Sequence, residues 1–441
     1  MQNKTTLEKR VKRRVTAREH RFFAVCAPGI KGLCQKEIVS LNQKFVDIED
    51  KSIEFKDIDT IKGGVEFTTS VKGCYAANLY LRSPSKILMR IAKFKAENFR
   101  TFEKKFSEIE WELYFKPSAI FESQPDSDLL CTLHFEASTS RSRLYHTEAI
   151  TDRARLIVYE HFNKIFKDNY SVIQADSPKK SQTVLIRAED DQFEISIDSS
   201  GELLHKRGLK ENVGVAPLRE TIAFAILSAL KYPNFSDKKG AKTLPLIDAM
   251  CGSGTFTLEA AMMANSIPAG FFRQFAFQEW QCFSLGQLNH LKKVALNQIL
   301  TPCYDNRSSI FAVDQDANIL EGLKKVVDRL KADNLTPSSQ IEIIHSNFFD
   351  VVPEKLADQK GFLVLNPPYG RRIGEKQYVE EIFNNIGKKL KSDFKGWRVA
   401  VITPDKRLLK HLPAAKSLIP IFHGGLQLDV AIIYVLPSVF R

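Results

Sequence analysis

The stretch Asn366-Pro367-Pro368-Tyr369 offers the most specific chemistry in this sequence. Its two prolines carry no N–H and stiffen the loop, so the Asn366 side-chain oxygen and the Pro367 carbonyl stay free as acceptors at one fixed place. Two acceptors converging on an exocyclic amino group would turn its lone pair outward. They would also stabilise the positive charge that grows on nitrogen as it attacks a methyl carbon. Tyr369 would supply a flat surface for the base carrying that amine. Read without chemistry, the same residues form a rigid proline turn ending a core strand.

A second constellation lies upstream. Leu244, Leu246 and Ile247 end in Asp248, a Gly-x-Gly turn follows at Gly252 and Gly254, and a helix-like segment begins behind Thr255. Such a strand, turn and helix open a doubly wound sheet, where ligands sit at the carboxyl ends of the strands. The six-residue dinucleotide pattern is incomplete, because Thr257 stands where a third glycine or alanine would. Three acids or amides fall at successive strand ends: Asp248, Asp314 and Asn347. Asp248 could accept from a ligand ammonium. Asp314 is placed to take two hydrogen bonds from a ribose diol, and its alternative is a helix N-cap, for which Asp316 competes. Asn347 or Asp350 could read an adenine edge. Cys251 has no sequence neighbour to activate it, so we expect a small side chain in a tight turn rather than a nucleophile.

The elements that must position these residues alternate. Strands are predicted over 244–248, 309–313, 341–344, 362–365 and 397–402, with helices over 218–230, 255–264, 286–299, 316–331 and 377–391. This alternation means a mostly parallel sheet covered on both faces. A last apolar strand, Leu428–Leu436, would run antiparallel beside the edge. An aromatic-rich insertion occupies 270–283. The first half reads as α+β, with strands at 22–27, 45–48, 65–69 and 87–91, and a helix through Ile30, Cys34, Ile38 and Leu41. After residue 98 the pattern restarts with a strand at 129–135, a long helix at 148–166, and two strands joined across Asp190-Asp191. Residues 200–217 lack periodicity and read as a connection.

A net charge of +12 favours a polyanionic partner, with nucleic acid ahead of membrane. Residues 1–21 hold eight Lys/Arg against two Glu, half of that excess. This run is either a phosphate-binding arm or a solvated tail. No apolar segment follows it, against a secretory signal, and Glu8 and Glu19 oppose a transit peptide. Arg141, Arg143, Arg153 and Arg155 form a second basic group, for RNA phosphates or for neighbouring acids. Seven scattered cysteines without a Cys-x-x-Cys pair argue for a reducing compartment and against a zinc ribbon. We expect no metal and, with no apolar run near membrane-spanning length, no membrane span.

Asp-Ala-Met-Cys-Gly-Ser-Gly-Thr (248–255), Asn-Pro-Pro-Tyr-Gly (366–370), and Leu-His-Lys-Arg-Gly with Ala-Pro-Leu-Arg-Glu-Thr (204–221) resemble the THUMP-containing RNA guanine-N2 methyltransferases. The branch that modifies large-subunit ribosomal RNA is the nearest. The likeness extends to Pro-Gly-Ile-Lys-Gly-Leu (28–33) and Gly-Gly-Val-Glu-Phe (63–67).

The resemblance implies an α/β, Rossmann-like class I methyltransferase domain over 217–441, reached by a linker at 200–216. Before it would come a ferredoxin-like domain over 21–92 and a THUMP RNA-binding domain over 93–199, behind a basic disordered arm at 1–20. It implies S-adenosyl-L-methionine as cofactor, bound by Asp248, Cys251, Gly252, Gly254, Thr255, Asp314, Asn347 and Asn366. Asn366, Pro367 and Tyr369 would hold the guanine, and the helix opening at Ala216–Glu220 would pack under the cofactor. Where the family usually has an acid for the adenine amino group, this chain has Asn347, an amide that could still accept. The partner expected is large-subunit ribosomal RNA or its precursor particle, in the cytoplasm, with transfer RNA as the alternative. With one catalytic domain before Arg441, one methylation is expected, by direct displacement. A DNA adenine-N6 methyltransferase and a non-catalytic RNA-binding assembly factor are lesser rivals.

Overall fold

The computed structural model describes residues 2–48, 50, 52–116, 121–124, 127–131, 133–166, 182–210, 218–233, 244–300, 310–333, 335, 340–368, 375–423 and 425–436. The chain divides into two compact units. The first comprises residues 1–26, 34–204 and 273–291, and the second residues 27–33, 205–272 and 292–441.

The first unit is built on one sheet. Its elements in chain order are α1 (Gln2–Val11), β1 (Glu19–Val25), α2 (Lys31–Asp47), β2 (Lys56–Ile61), β3 (Gly64–Ser70), α3 (Val71–Tyr80) and β4 (Lys86–Lys95). There follow α4 (Phe99–Ser107), β5 (Phe121–Gln124), β6 (Ser127–Cys131), β7 (His134–Ser140), α5 (Thr147–Phe166), β8 (Thr183–Glu189) and β9 (Gln192–Asp198). Seven strands pair in the order β2-β3-β1-β4-β9-β8-β7, and β5 with β6 forms a separate ribbon. The sheet runs without a break across the boundary expected near residue 92, because β4 pairs antiparallel with β9 from Leu88↔Asp198 to Lys95↔Gln192. Asp190 and Asp191 both take positive φ, 51° and 61°, the backbone of a tight hairpin turn between β8 and β9.

Three expectations need correcting. Phe45–Ile48 is not a strand: α2 continues through it, and buried Ile38, Leu41 and Phe45 form one apolar face at helical spacing. The basic N-terminal run is neither arm nor tail over residues 2–16. It is α1 followed by one π-helical turn, and it buries Val11 and Val15. The aromatic insertion belongs, from Arg273 onward, to the first unit. There Phe277 stacks on Tyr75 with centroids 4.3 Å apart, Trp280 is fully buried and bridges to Phe115, and the Arg273 guanidinium donates to the carbonyls of Ser200, Glu202 and Leu203.

The second unit has the alternation the sequence implies. α6 (Glu220–Ala229), β10 (Leu246–Asp248), α7 (Thr255–Ala264), α8 (Leu285–Leu300), β11 (Ile310–Asp314), α9 (Ala317–Ala332) and β12 (Ile341–His345) come first; α8 begins in the first unit. Then come α10 (Pro353–Leu356), β13 (Phe362–Leu365), α11 (Glu375–Asp393), β14 (Arg398–Thr403), β15 (Ala415–His423) and β16 (Leu426–Tyr434). The strand order is β12-β11-β10-β13-β14-β16-β15, parallel through β14. β16 is antiparallel and lies beside the edge, as expected, between β14 and β15. The edge is β15, which carries Pro420, a residue without the N–H a central strand needs. Among the described residues no helix is long and apolar enough to cross a membrane.

Candidate active site

The order of strands reverses at β10. Chain order runs outward to β11 and β12 on one side and to β13 and β14 on the other, which opens a crevice at the carboxyl ends. Asp248 stands level with Ala312 on one neighbour and Val364 on the other. Asp314, two residues past Ala312, and Asn366, two past Val364, therefore flank the loop that leaves β10. The two loops singled out in the sequence share one end of the sheet. A cavity of about 450 Å³ lies there, and its lining includes Met250, Cys251, Gly252, Ser253, Thr255, Asp314, Asn347, Asn366 and Pro368.

Glycines shape the loop. Gly252 and Gly254 both have positive φ, 51° and 75°, and Gly254 caps α7. A Cβ on Gly254 would lie 2.4 Å from Leu323 Cδ1, so α9 packs where a side chain would be. The Gly252 N–H donates to Asp314 Oδ2 at 2.8 Å, and Asp314 Oδ1 accepts from the Asp316 N–H at 3.0 Å. Asp316, not Asp314, caps α9, through the N–H groups of Asn318 and Ile319. Asp314 is thus left at the cavity wall with lone pairs remaining on both oxygens.

Asp248 does not line the cavity. It is 1% exposed, and its Oδ2 accepts from the Thr257 N–H at 3.0 Å and the Thr257 hydroxyl at 2.7 Å, closing the first turn of α7. Burial pushes its carboxyl up to about 7, against the two Thr257 donors. Gly254 and Pro367 are likewise absent from the lining; Gly254 acts by packing, and Pro368 is the proline that reaches the cavity. Cys251 is buried, and burial beside Asp248 and Asp314 drives its thiol well above the ordinary range. A thiol so firmly protonated is no nucleophile.

Asn347 lines the cavity, but its Oδ1 already accepts from the Phe349 N–H at 3.0 Å, and its Nδ2 donates to Gln315 Oε1 at 2.9 Å. Asn366 is the opposite case. Its Oδ1 is buried at the cavity wall with no hydrogen-bond partner among the described residues. Leaving such an acceptor unmade costs about 1–3 kcal/mol. Tyr369, Ala216 and Pro217 lie outside the described residues, whereas Leu218 lines the cavity.

Several residues here escaped the sequence reading. Phe349 and Tyr378 on the cavity wall are exposed aromatics, 36% and 59% accessible. The strand-end position of Asn347 could have pointed to Phe349, whereas nothing local marks Tyr378. Lys210, within the stretch read as a connection, donates to Thr255 Oγ1 at 2.9 Å and Ser253 Oγ at 3.2 Å, and lies 3.8 Å from Glu220. Burial pulls its ammonium below the ordinary value. Arg207 forms a two-pronged pair with Glu259 on α7, both contacts 3.2 Å, with both side chains almost inaccessible. The segment 205–210 therefore fastens the glycine loop and α7 instead of merely joining domains.

A reversal of strand order, a glycine loop braced by the acid of the next strand, and an open amide acceptor across the crevice define a Rossmann-like methyltransferase domain. Residues 207–418 match the UPF0020 family model, described as an RMKL-like methyltransferase domain, and residues 21–88 match the RlmL ferredoxin-like domain. Residues 207–418 are thus similar to RMKL-like methyltransferase domains. A ribosomal RNA large subunit methyltransferase K/L of Syntrophotalea carbinolica is 26% identical over 92% of this chain and 52% of its own length. The protein of that name from Colwellia psychrerythraea is 30% identical over 89% of this chain and 49% of its own. This chain thus spans about half the length of those relatives, but 94% of a Synechocystis protein provisionally named an RNA methyltransferase, at 27% identity. Among solved structures, SMU.472 complexed with S-adenosylhomocysteine has a TM-score of 0.72 at 23% identity, over 96% of this chain and 99% of that one. TrmN from Thermus thermophilus has 0.60 at 15%, over 95% of this chain and all of that one. At such identities the likeness concerns the fold.

Proposed function

We propose that this chain transfers a methyl group from S-adenosyl-L-methionine to the N2 amino group of a guanine in large-subunit ribosomal RNA, acting in the cytoplasm. The observation that carries the reading is Asn366 Oδ1, a buried acceptor without a partner among the described residues, facing the same cavity as the glycine loop. The RMKL-like domain and the names of the K/L relatives support the substrate class.

The cavity suits the cofactor. Its volume of about 450 Å³ lies in the range of small-molecule pockets, and its polar groups are few and fixed. Cys251, Gly252, Ser253 and Thr255 would hold the amino-acid end, Asp314 the ribose hydroxyls, and Asn347 with Phe348 the adenine side. When bound, S-adenosylmethionine supplies a methyl carbon made electrophilic by its sulfonium. The chain's own residues prepare the amine. Guanine N2 is a poor nucleophile because its lone pair is delocalised into the ring. Asn366 Oδ1, accepting an N–H from that amine, would draw the lone pair out of conjugation and stabilise the charge developing on nitrogen. Phe349, Tyr378 and Tyr369 would offer faces for the extruded base. An amide oxygen is not basic enough to keep a proton, so the proton released from N2 passes to water.

Mass spectrometry of nucleosides from ribosomal and transfer RNA, from cells with and without the gene, tests the proposal. N2-methylguanosine should fall in the large-subunit RNA of the deletion strain and return on complementation. Its loss from transfer RNA alone would move the substrate, and unchanged nucleosides in both pools would end the reading.

A further inference from the structure

The proposed chemistry makes no use of the most basic stretch of the chain. Along α1 and the π-helical turn Lys12–Thr16, the side chains sort into three groups. Val11 and Val15 are buried, 6% and 1% exposed. Arg10 and Arg14 face acids. Arg10 Nη2 donates to Glu110 Oε1 at 2.7 Å and Glu112 Oε1 at 2.6 Å, and Arg14 pairs with Glu110. Glu112 is itself 5% exposed and bonded to His161 Nε2 at 2.6 Å. Against burial, His161 and Arg10 hold its carboxyl down at about 2. The third group is Lys9, Lys12 and Arg13, all exposed and with no hydrogen bond or ion pair among the described residues.

The other basic group of this unit behaves differently. Arg141 pairs with Glu189 and Asp190, Arg143 with Glu97 and Asp191, Arg153 with Glu103, and Arg155 with Asp152. Those arginines are neutralised where they stand. The N-terminal helix instead uses two arginines for docking and leaves three cations side by side on an ordered scaffold.

We infer that this docked helix is a phosphate-binding surface, with Lys9, Lys12 and Arg13 contacting the sugar-phosphate backbone of the substrate RNA while Arg10 and Arg14 hold the helix in place. The inference rests on the RNA reading above, and charge complementarity selects the partner. Residues 1–21 carry eight Lys/Arg against two Glu, and contacts of point charges with phosphates position an RNA without reading its sequence. A helix already fixed to Glu110 and Glu112 binds without first being ordered. The matched ferredoxin-like domain begins only at residue 21, so this surface is an addition to it.

The test is fluorescence anisotropy of the full chain with a labelled RNA hairpin, titrated at salt concentrations from about 50 to about 200 mM. With Lys9→Gln, Lys12→Gln and Arg13→Gln combined, RNA affinity at the lowest salt should fall by at least about tenfold. The log–log salt slope should become shallower by about 2 to 3, the sum expected for three lost phosphate contacts. Affinity for S-adenosylhomocysteine, read by calorimetry, should stay unchanged and would report any misfolding. Arg10→Ala, which leaves the three cations intact but frees the helix, should weaken RNA binding in the same direction by less. If the wild type binds the hairpin and the triple variant binds it with the same affinity and slope, the inference is wrong while the RNA reading stands. A wild type that binds no RNA removes both. Loss of binding to phosphatidylserine vesicles with RNA binding retained would overturn the inference in favour of a membrane surface.

Discussion

The loops leaving β10 and β13 start from adjacent strands at one end of the same sheet, yet they treat their polar groups in opposite ways. Around the first loop the polar side chains are turned inward. Asp314 holds the Gly252 N–H, Asp248 holds Thr257, and Lys210 ties Ser253 to Thr255. The second loop removes two backbone donors with Pro367 and Pro368 and leaves Asn366 Oδ1 buried, with no partner among the described residues. Internal hydrogen bonds rigidify the first loop as a cradle, although Asp248 Oδ1, away from the cavity, has no partner among the described residues. An acceptor left unmade at the cavity wall, as Asn366 Oδ1 is, persists where a ligand completes it. On the proposed function, the contrast would separate the wall that holds the cofactor from the point that grips the substrate.

Asn366→Ala gives the largest expected effect. Turnover should fall by at least about a hundredfold, the scale of one oriented electrostatic contact, with S-adenosylhomocysteine affinity kept. Stability by urea denaturation should hold or rise, because an unsatisfied acceptor is removed. Equal activity in this variant would erase the distinction between the loops. Asp314→Ala should do the reverse, lowering S-adenosylhomocysteine affinity in calorimetry by about tenfold or more as charged hydrogen bonds to the loop are lost. Unchanged affinity would mean that the cradle does not depend on its brace.

Asp248 sharpens the comparison through pH. Its folded pKa of about 7 lies above the unfolded value near 3.8, so the contribution of the protonated form is complete below about pH 4 and disappears as pH rises to about 7. Asn cannot ionise. The stability of Asp248→Asn relative to wild type should therefore increase by at most about 1.4 kcal/mol per pH unit across that window and level off above it. Parallel curves would show that the carboxyl titrates normally. The smallest effect belongs to Cys251→Ala, for which turnover should stay within about threefold; abolition would reveal a covalent role.

The catalytic half was legible because its strands are short, continuous apolar runs. Leu246–Asp248, Ile310–Asp314 and Phe362–Leu365 are buried nearly throughout, and a buried parallel strand has no polar face to blur it. Edge strands were harder. β2 reads Lys-Asp-Ile-Asp-Thr-Ile, and β15 is interrupted by Pro420, so neither resembles a strand until its neighbour is known. In the site, Asp314 and Asn366 announced themselves by following such runs. Lys210 and Arg207 did not, because their roles come from pairing with Thr255 and Glu259, some fifty positions away, and no local period encodes that. Asp248 looked like a ligand contact for the same reason in reverse: only its pairing with Thr257 shows that it faces the helix.

The return of residues 273–291 to the first unit bears on how the protein is made. Phe275, Phe277, Trp280, Leu288 and Leu291 belong to that unit's hydrophobic core, yet they are translated after the glycine loop of the second. A nascent chain therefore cannot close its first core until about the first two-thirds of the polypeptide has left the ribosome, and the usual order of N-terminal domain first is unavailable to it. The two units must mature together, so a half-made chain exposes the greasy floor meant for Phe277 and Trp280 to whatever chaperone is nearby.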